Sequence, residues 1–158
     1  MAINFLEQLV AEWYEYQGYF VRRNVFVGKR SKGGFECELD VVAFHPETKR
    51  LVQIEPSSDA SSWEDREKRY KKKFDAGKKY IHKLFNGLDL PEEIEQIAVF
   101  VFRGKDKHKT ISGGKIIFLS ELLTQIYQKV KGINPMQHAI PEQYVILRSF
   151  QFFAHFIK

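Results

Sequence analysis

Apolar residues near the start of the chain recur at intervals of three and four positions, which is the periodicity of a helix with one buried face. The pattern stops at Gln17-Gly18, where glycine can adopt the left-handed conformation that ends helices. A first amphipathic helix is therefore predicted up to this point. Its buried stripe is predicted to contain Phe5, Leu6, Leu9, Val10, Trp13 and Tyr14.

Three segments with the composition and period of β-strands follow, and they are predicted over Tyr19–Val27, Phe35–Phe44 and Arg50–Glu55. The basic, glycine-rich segment Gly28–Gly34 joins the first two strands. The tight turn His45–Lys49 makes the second and third strands a hairpin. Strict alternation along the second strand predicts one face with Cys37, Leu39, Val41 and Ala43, and an opposite face with Glu36, Glu38 and Asp40.

A long helix is predicted next, over Ser62–Phe85, because Ser61-x-x-Glu64 has the pattern of a capping box. The near-continuous apolar run Ile94–Arg103 then indicates a strand that is buried on both faces. A polar loop, Gly104–Gly114, separates it from a further short strand over Lys115–Leu119.

Two helices are predicted after the last strand. Ser120 is the predicted cap of a helix that runs to about Lys131, and Glu121 in its first turn favours a helix start. Pro141 is predicted at the first position of a last helix, Pro141–Lys158, which is apolar on more than one side. The order of elements predicts a layered α/β domain around a mixed sheet, because a hairpin is antiparallel while a helical crossover demands a parallel return. With no long linker, residues 1–158 are expected to form a single domain.

Composition narrows the class of protein. The chain has 158 residues, 44% of them hydrophobic, which is enough to bury a core. One cysteine, Cys37, allows neither an internal disulfide nor a cysteine-rich metal site, so a reducing, cytoplasmic location is expected. Neither a signal peptide nor a run of about 20 apolar residues is found, so no membrane association is expected. The net charge of +5 favours an anionic partner such as nucleic acid.

Two carboxylates are the candidate chemistry. Asp40 lies in the middle of one predicted strand and Glu55 ends the next, so the two can share one hard cation. Mg²⁺ prefers one or two carboxylates together with waters and phosphate. The alternative is that each carboxylate pairs with a nearby Arg or Lys or faces solvent at a sheet edge. From spacing alone both interpretations stay open.

The segment Glu38-Leu-Asp40-Val-Val-Ala, a hairpin turn and then Val52-Gln-Ile-Glu55 resembles the PD-(D/E)xK nuclease superfamily. The resemblance spans roughly Ile3–Arg103. It implies the restriction-endonuclease-like fold, a three-layer α/β domain in which an αβββαβ core with a mixed central sheet is followed here by C-terminal helices. It also implies a nuclease that uses Mg²⁺ or Mn²⁺, with Asp40 and Glu55 as metal ligands. By the same resemblance Glu7 helps to hold a second metal or orients the ligands, and Glu12 is the rival for that role.

The chain departs from the superfamily at the lysine that follows the glutamate by two residues, because Ser57 stands there. A serine supplies no positive charge, so either the site is inactive or a cation comes from elsewhere. The long helix is the natural donor. At 100° per residue, Lys73 and Arg66 fall at the border of its apolar stripe. Lys73 is the predicted replacement and Arg66 the next candidate, while most of the surrounding basic residues are expected to form a solvated face.

These residues predict a metal-dependent nuclease that hydrolyses phosphodiester bonds, with DNA as the expected substrate. The backbone carbonyl of Pro56 is a further candidate metal ligand. The alternative is a catalytically inactive nucleic-acid-binding or assembly module with the same fold. The predicted nucleic-acid contacts, which flexible loops could instead carry only for solubility, are Lys29, Arg30, Lys32, Lys105 and Lys107.

Self-association is a separate prediction, and it depends on the last helix. Its closely spaced phenylalanines, including Phe153, are expected either to form a central core helix or to pack two copies into a homodimer about a twofold axis.

Overall fold

Helices and strands alternate along the chain in this computed structural model, which describes residues 4–104 and 108–157. In chain order the elements are α1 (Phe5–Tyr16), β1 (Phe20–Lys29), β2 (Phe35–His45), β3 (Arg50–Ser57), α2 (Trp63–Tyr80), a 3-10 helix (Ile81–Phe85), β4 (Glu95–Phe100), β5 (Thr110–Ile111), β6 (Gly114–Phe118), α3 (Leu119–Val130) and α4 (Val145–Phe156). Within these described ranges, no helix combines the length and the apolar character that crossing a bilayer requires.

The strands form one six-stranded mixed sheet in the order β1-β2-β3-β4-β6-β5. The pairs β1/β2, β2/β3 and β5/β6 are antiparallel, whereas β3/β4 and β4/β6 are parallel. The predicted α/β fold with a mixed sheet is confirmed. Because β3, β4 and β6 run in the same direction, their carboxyl ends meet at one edge of the sheet, the edge where ligands of open α/β sheets usually bind.

Two apolar layers cover the sheet, one on each face. On one face, side chains of the central strands such as Val52, Ile54 and Ile97 pack against α1, α3 and α4. On the other face, Val42, Phe44 and Leu51 pack against α2 and the 3-10 helix, and a neighbouring cluster around Tyr70 and Phe74 continues this layer. The domain therefore has three layers, helices–sheet–helices, as the fold class predicted.

Helix boundaries differ from the predicted ones for local reasons. Helix α2 is capped by Ser62 rather than Ser61, because the Ser62 hydroxyl accepts the Asp65 backbone N–H at 3.2 Å. The predicted cap of α3, Ser120, lies inside the helix; Glu121 instead accepts the Phe118 N–H at 2.8 Å and so closes the first turn. Both predictions found the right segment but the wrong capping residue.

The periodicity of the sequence does not predict two further features. The long helix continues past Tyr80 only as a 3-10 turn, and the loop before β6 contains the two-residue strand β5. β5 turns back onto β6 through Ser112 and Gly113, both of which have a positive φ. A strand of two residues is too short to show a period, so the sequence pattern does not reveal it.

Helix α4 begins at Val145, after a turn at Pro141, and the predicted end at Lys158 lies outside the described residues. Its first N–H groups need an acceptor because helix ends leave them without one. Glu12, which is buried in α1, provides that acceptor: one carboxylate oxygen lies 3.0 Å from the N atoms of both Ile146 and Leu147. A carboxylate is well placed at a helix N-terminus, where the helix dipole is positive.

The outer side of α4 is apolar and exposed, so the prediction of a central core helix is wrong. Leu147 and Gln151 are buried against the domain. The opposite side carries Phe153 with 59% and Phe156 with 62% of their surface exposed. The helix covers one face of the sheet, and among residues 4–104 and 108–157 no further layer covers its other side.

The predicted alternation along β2 is also wrong beyond Asp40. Leu39 packs toward α2 together with Val42, whereas Val41 packs toward α1, so the faces reverse at Asp40. β1 reverses at the same place: Asn24, opposite Asp40, has φ +50° and neither residue pairs in the ladder, although the register on both sides is unchanged. Irregularities of this kind re-aim side chains, and here the residue affected is a predicted site residue.

The hairpin of β1 and β2 separates from the rest of the sheet at this irregularity. The β2–β3 ladder starts at the pair Val41–Ile54, and beyond it Asp40 and Glu55 stand opposite each other without pairing. The Asp40 backbone N–H instead donates to the Glu55 carboxylate, with N and Oε2 3.3 Å apart. We call this point, defined by Asp40 and Glu55, the fork. The hairpin beyond it packs Val25, Val27 and Leu39 against α2 and the 3-10 helix.

The close approach of α2 to β3 depends on a glycine. A Cβ atom on Gly77 would lie 1.8 Å from the Gln53 side-chain oxygen, far inside contact distance. The helix can therefore lie this near to the strand only because Gly77 has no side chain.

We predict that Gly77→Ala lowers the free energy of unfolding by about 1–3 kcal/mol, the usual cost of overpacking, despite the higher helix propensity of alanine. Gly132→Ala is the matched control, because nothing lies within 4 Å of the Cβ it would add. Urea denaturation of both variants measures the effect. A Gly77→Ala protein at least as stable as the wild type would show that the helix does not need this close contact.

Candidate functional site

Three charged side chains meet at the fork, each from a different element. Asp40 comes from β2, Glu55 from the end of β3 and Lys73 from the middle of α2. The Lys73 ammonium lies 2.6 Å from Asp40 Oδ1 and 2.6 Å from Glu55 Oε2. The prediction that Lys73 reaches the carboxylate pair is confirmed. The contact by itself does not assign Lys73 a role in catalysis.

Burial makes these charges strongly interdependent. The exposed fractions of the side chains are 1% for Glu55, 13% for Asp40 and 20% for Lys73. Burial, reinforced by the charge of Asp40, raises the pKa of the Glu55 carboxyl above its usual value. Burial alone would lower the pKa of Lys73, but the carboxylates of Glu55 and Asp40 outweigh it and raise that pKa, so the ammonium form is favoured.

Buried amides hold α2 at the fork, and the sequence analysis did not identify them. The Gln53 amide donates to Glu55 Oε1 at 2.8 Å and to the Lys73 backbone carbonyl at 3.0 Å. The Gln96 amide donates to Gln53 Oε1 and to the Phe74 carbonyl, each at 2.8 Å. These bonds tie the backbone of the helix to the carboxylate that its lysine contacts. The sequence signal that could have identified them is that each glutamine lies between apolar residues in a buried strand.

Arg69, a second cation, lies beside the position where the superfamily has its lysine. Its guanidinium donates to the Ser57 hydroxyl at 3.2 Å and pairs with the carboxylate of Asp59. Burial alone would raise the pKa of Asp59, but the hydrogen bonds from Arg69 and Ser61 prevail and lower it to about 2. The sequence analysis did not identify Arg69, because it lies within a run of basic residues whose pattern is typical of a solvent-exposed helix face.

Arg66, the second predicted candidate, serves a neighbouring position instead. Its guanidinium donates to the Asp59 backbone carbonyl at 2.7 Å and lies over the Phe100 ring, 4.8 Å from the centroid. Its Nε also lies 3.7 Å from Asp59 Oδ1, so Arg66 is engaged with Asp59 rather than with the two carboxylates of the fork. Lys73 remains the cation in direct contact with both carboxylates.

The two glutamates of α1 have different surroundings. Glu7 accepts hydrogen bonds from the side-chain amides of Asn4 at 2.8 Å and Asn24 at 3.3 Å. Asn4 lines the cavity at the fork and Asn24 lies opposite Asp40, so Glu7 reaches the site through its neighbours. Glu12 is occupied in capping α4, so it does not compete for that position.

The fork opens into a cavity of about 230 Å³ that a phosphate-sized group can enter. Its walls include Asp40, Glu55, Pro56, Arg69 and Lys73. Two carboxylates with a nearby backbone segment match the oxygen ligands that Mg²⁺ prefers, with waters completing the shell. Among residues 4–104 and 108–157, no group of three or more His, Cys, Asp or Glu side chains converges as a metal cluster.

The predicted nucleic-acid contacts lie away from the fork. Lys29, Arg30 and Lys32 are exposed at the tip of the β1–β2 hairpin, where Arg30 and Gly34 close the turn. Five residue steps along β2 lead from Phe35 to Asp40, which corresponds to about 17 Å at ~3.4 Å per step. The other predicted contacts, Lys105 and Lys107, lie outside the described residues.

In comparisons with known proteins, no family model and no curated protein matches the chain. The resemblance to the nuclease superfamily therefore rests on the sequence pattern around Asp40 and Glu55 alone.

We predict that Lys73→Met destabilises the protein by about 3 kcal/mol at pH 9, where Glu55 is ionised, because removing one partner of a buried ion pair leaves uncompensated charge. The loss should shrink as the pH falls from 9 to 6, through the raised pKa of Glu55 at about 8, because the buried carboxyl then binds a proton and no longer needs the ammonium. Lys72→Met, at an exposed neighbouring position, is the control and should change little. Urea denaturation across this pH range tests it; a loss that does not vary with pH would mean that only the packing of the lysine stem matters.

Proposed function

We propose that this protein is a metal-dependent nuclease that hydrolyses phosphodiester bonds, with DNA as its substrate. The observation that carries the proposal is the contact of Lys73 with both Asp40 and Glu55, each at 2.6 Å. Ser57 leaves the usual lysine position without a charge, and Lys73 supplies a cation to the same two carboxylates from α2.

Asp40, Glu55 and the Pro56 carbonyl would hold Mg²⁺ or Mn²⁺. When bound, such an ion polarises a phosphoryl oxygen and lowers the pKa of a coordinated water. The protein's own side chains contribute by positioning charged groups around the phosphodiester. Gln53 fixes the orientation of the Glu55 carboxylate, and Lys73 brings a positive charge to the side of the phosphoryl group that becomes more negative during attack.

The reaction is a hydrolysis in which atoms and charge balance without a further reactant. A water oxygen forms a bond to phosphorus while the bond from phosphorus to the leaving sugar oxygen breaks. One proton of the water is released and one proton reaches the leaving oxygen, which gives a phosphomonoester and a free hydroxyl. Asp40 and Glu55 would take their part as ionised carboxylates, so the raised pKa of Glu55 favours activity at neutral to alkaline pH over acidic pH.

The charge distribution supports a polyanionic substrate. The net charge is +5, and the hairpin tip presents Lys29, Arg30 and Lys32 about 17 Å from the fork, a distance that spans roughly five nucleotides at ~3.4 Å each along one strand of a duplex. Contacts at that distance position a strand without taking part in the chemistry. Their binding contribution should fall steeply with salt.

We predict that purified protein with Mg²⁺ or Mn²⁺ cleaves labelled DNA, and that Asp40→Asn and Lys73→Met each lower the cleavage rate by about 100-fold or more, the usual loss when one group that stabilises transition-state charge is removed. Lys72→Met is the control for the loss of a lysine from the same helix. Calorimetry should show Mn²⁺ binding that disappears in Asp40→Asn.

RNA of the same sequence tests the choice of substrate. If the protein binds nucleic acid but does not cleave it in the presence of any divalent ion, the nuclease proposal is contradicted. The protein would then be the inactive binding module that the absence of the motif lysine allows.

Self-association is the second part of the proposal: two copies pack through the outer side of α4. Val145, Phe153, Phe156 and Ile157 each leave more than half of their surface exposed there, next to a groove of about 500 Å³ that is also lined by Arg148. Exposed apolar patches of this kind mark association surfaces, and twofold dimers are the commonest assembly.

We predict that sedimentation equilibrium at micromolar concentration shows a dimer for the wild type and a monomer for Phe153→Glu. The substitution should leave the fold intact, because Phe153 is 59% exposed in the single chain. Phe20→Glu is the control, at a phenylalanine of β1 that is 55% exposed. A monomeric wild type would rule out the dimer.

A further inference from the structure

A second cavity, of about 320 Å³, opens at the same edge of the sheet as the fork. It lies where the parallel strands β4 and β6 end, at Phe100 and Phe118. Phe100 is the register partner of Ser57, which lines the fork cavity. Neighbouring strands are about 4.8 Å apart, so the two cavities stand side by side along the carboxyl ends of the strands.

The walls of this second cavity combine aromatic rings with cations. Arg66 lies over the Phe100 ring at 4.8 Å from its centroid, and Arg103 lies over the Phe118 ring at 4.6 Å. Phe102 is 63% exposed at its rim. On the α2 side, Trp63 stacks on His108 with ring centroids 3.7 Å apart and nearly parallel planes. We call the pocket formed by Trp63, Arg66, Phe100, Phe102, Arg103 and Phe118 the aromatic pocket.

Such a lining is matched to a flat, polar ring on an anionic chain. Aromatic faces stack with nucleobases of any sequence, and guanidinium groups add both charge and planar stacking. The Arg66 Nε is buried and faces the Asp59 carboxylate, with Nε and Oδ1 3.7 Å apart, so the guanidinium is held against the Phe100 ring as a fixed part of the wall.

Asp59 links the aromatic pocket to the fork. Its backbone carbonyl accepts a hydrogen bond from Arg66, which lines the aromatic pocket, at 2.7 Å. Its carboxylate pairs with Arg69, which lines the fork cavity. Arg66 also lies close to this carboxylate, with Nε 3.7 Å from Oδ1, so one aspartate that lines the fork cavity holds both arginines. A strand with a phosphate at the fork would therefore have its adjacent base beside the aromatic pocket.

We propose that the aromatic pocket binds one unpaired nucleobase beside the phosphodiester at the fork, so that the substrate is single-stranded or locally unpaired nucleic acid. This inference rests on the proposed nuclease function and names the form of its substrate. A base inside a duplex is stacked on its neighbours and cannot enter such a pocket unless it leaves the stack.

Binding is measured on the Asp40→Asn protein with EDTA, so that no strand is cleaved. The probes are a fluorescein-labelled 15-nucleotide thymidine strand and the same strand with abasic sugars, which keeps every phosphate but removes the bases. We expect the thymidine strand to bind about 5- to 150-fold more tightly, the range that corresponds to stacking of one base at ~1–3 kcal/mol. Introducing Phe102→Ala into the Asp40→Asn protein should remove most of the preference for the thymidine strand over the abasic strand.

The control is Phe20→Ala in the same Asp40→Asn background, a phenylalanine of β1 that is 55% exposed, which should keep the full preference. Quenching of tryptophan fluorescence by the thymidine strand, lost in Trp63→Phe, reports on the pocket directly. Equal binding of the two strands, or a preference unaffected by Phe102→Ala, would overturn the aromatic pocket. Cleavage by the wild-type protein with Mg²⁺ is scored separately: cleavage without a base preference overturns the pocket alone, and base preference without cleavage overturns only the hydrolysis.

Discussion

The docking of α2 against β3 is the contact on which the site depends. Gly77 lets the helix come close enough for the Gln53 amide to reach both the Lys73 carbonyl and the Glu55 carboxylate. One amide thus sets the height of the helix over the sheet and the orientation of the acid. If the helix lay a few ångströms farther out, the lysine would lose its carboxylates and the buried Glu55 would lose its donors.

Burying this much charge is costly, and the surroundings show how the cost is offset. Glu55 is almost fully buried, yet its oxygens accept hydrogen bonds from the Asp40 backbone, the Gln53 amide and the Lys73 ammonium. A buried carboxylate with every acceptor satisfied is tolerated, whereas an isolated one is not. Even so, two acids share one lysine, and this surplus of negative charge is what a divalent cation would balance.

The parts of the fold that follow from periodicity could be predicted from the sequence. The α1 stripe, the β-hairpin, the buried β4 and the crossover helix all depend on repeating patterns of apolar residues, and Lys73 could be placed because it lies at the edge of such a pattern. The reversal at Asp40 could not be predicted, because it depends on the left-handed conformation of Asn24 in the neighbouring strand.

Residues that act through a single tertiary contact were also missed. Gln53 and Gln96 look like chance polar residues in apolar strands until the helix is seen above them. Arg69 is one of several cations in a helical run, and only the position of Asp59 distinguishes it from its neighbours. Sequence patterns report which face a residue is on, whereas these roles depend on which atom lies opposite.

The hairpin beyond the fork has a mechanical consequence. It is an arm of about 17 Å that carries its cations at the free end and Asp40 at its root. Beyond Val41 the arm has no ladder partner in β3, so it is held by its packing on α2 rather than by the sheet. In the proposed function, a polyanion bound at the tip would pull on the strand that bears Asp40. Any displacement of the tip would pass along β2 to Asp40, whose backbone N–H donates to the Glu55 carboxylate.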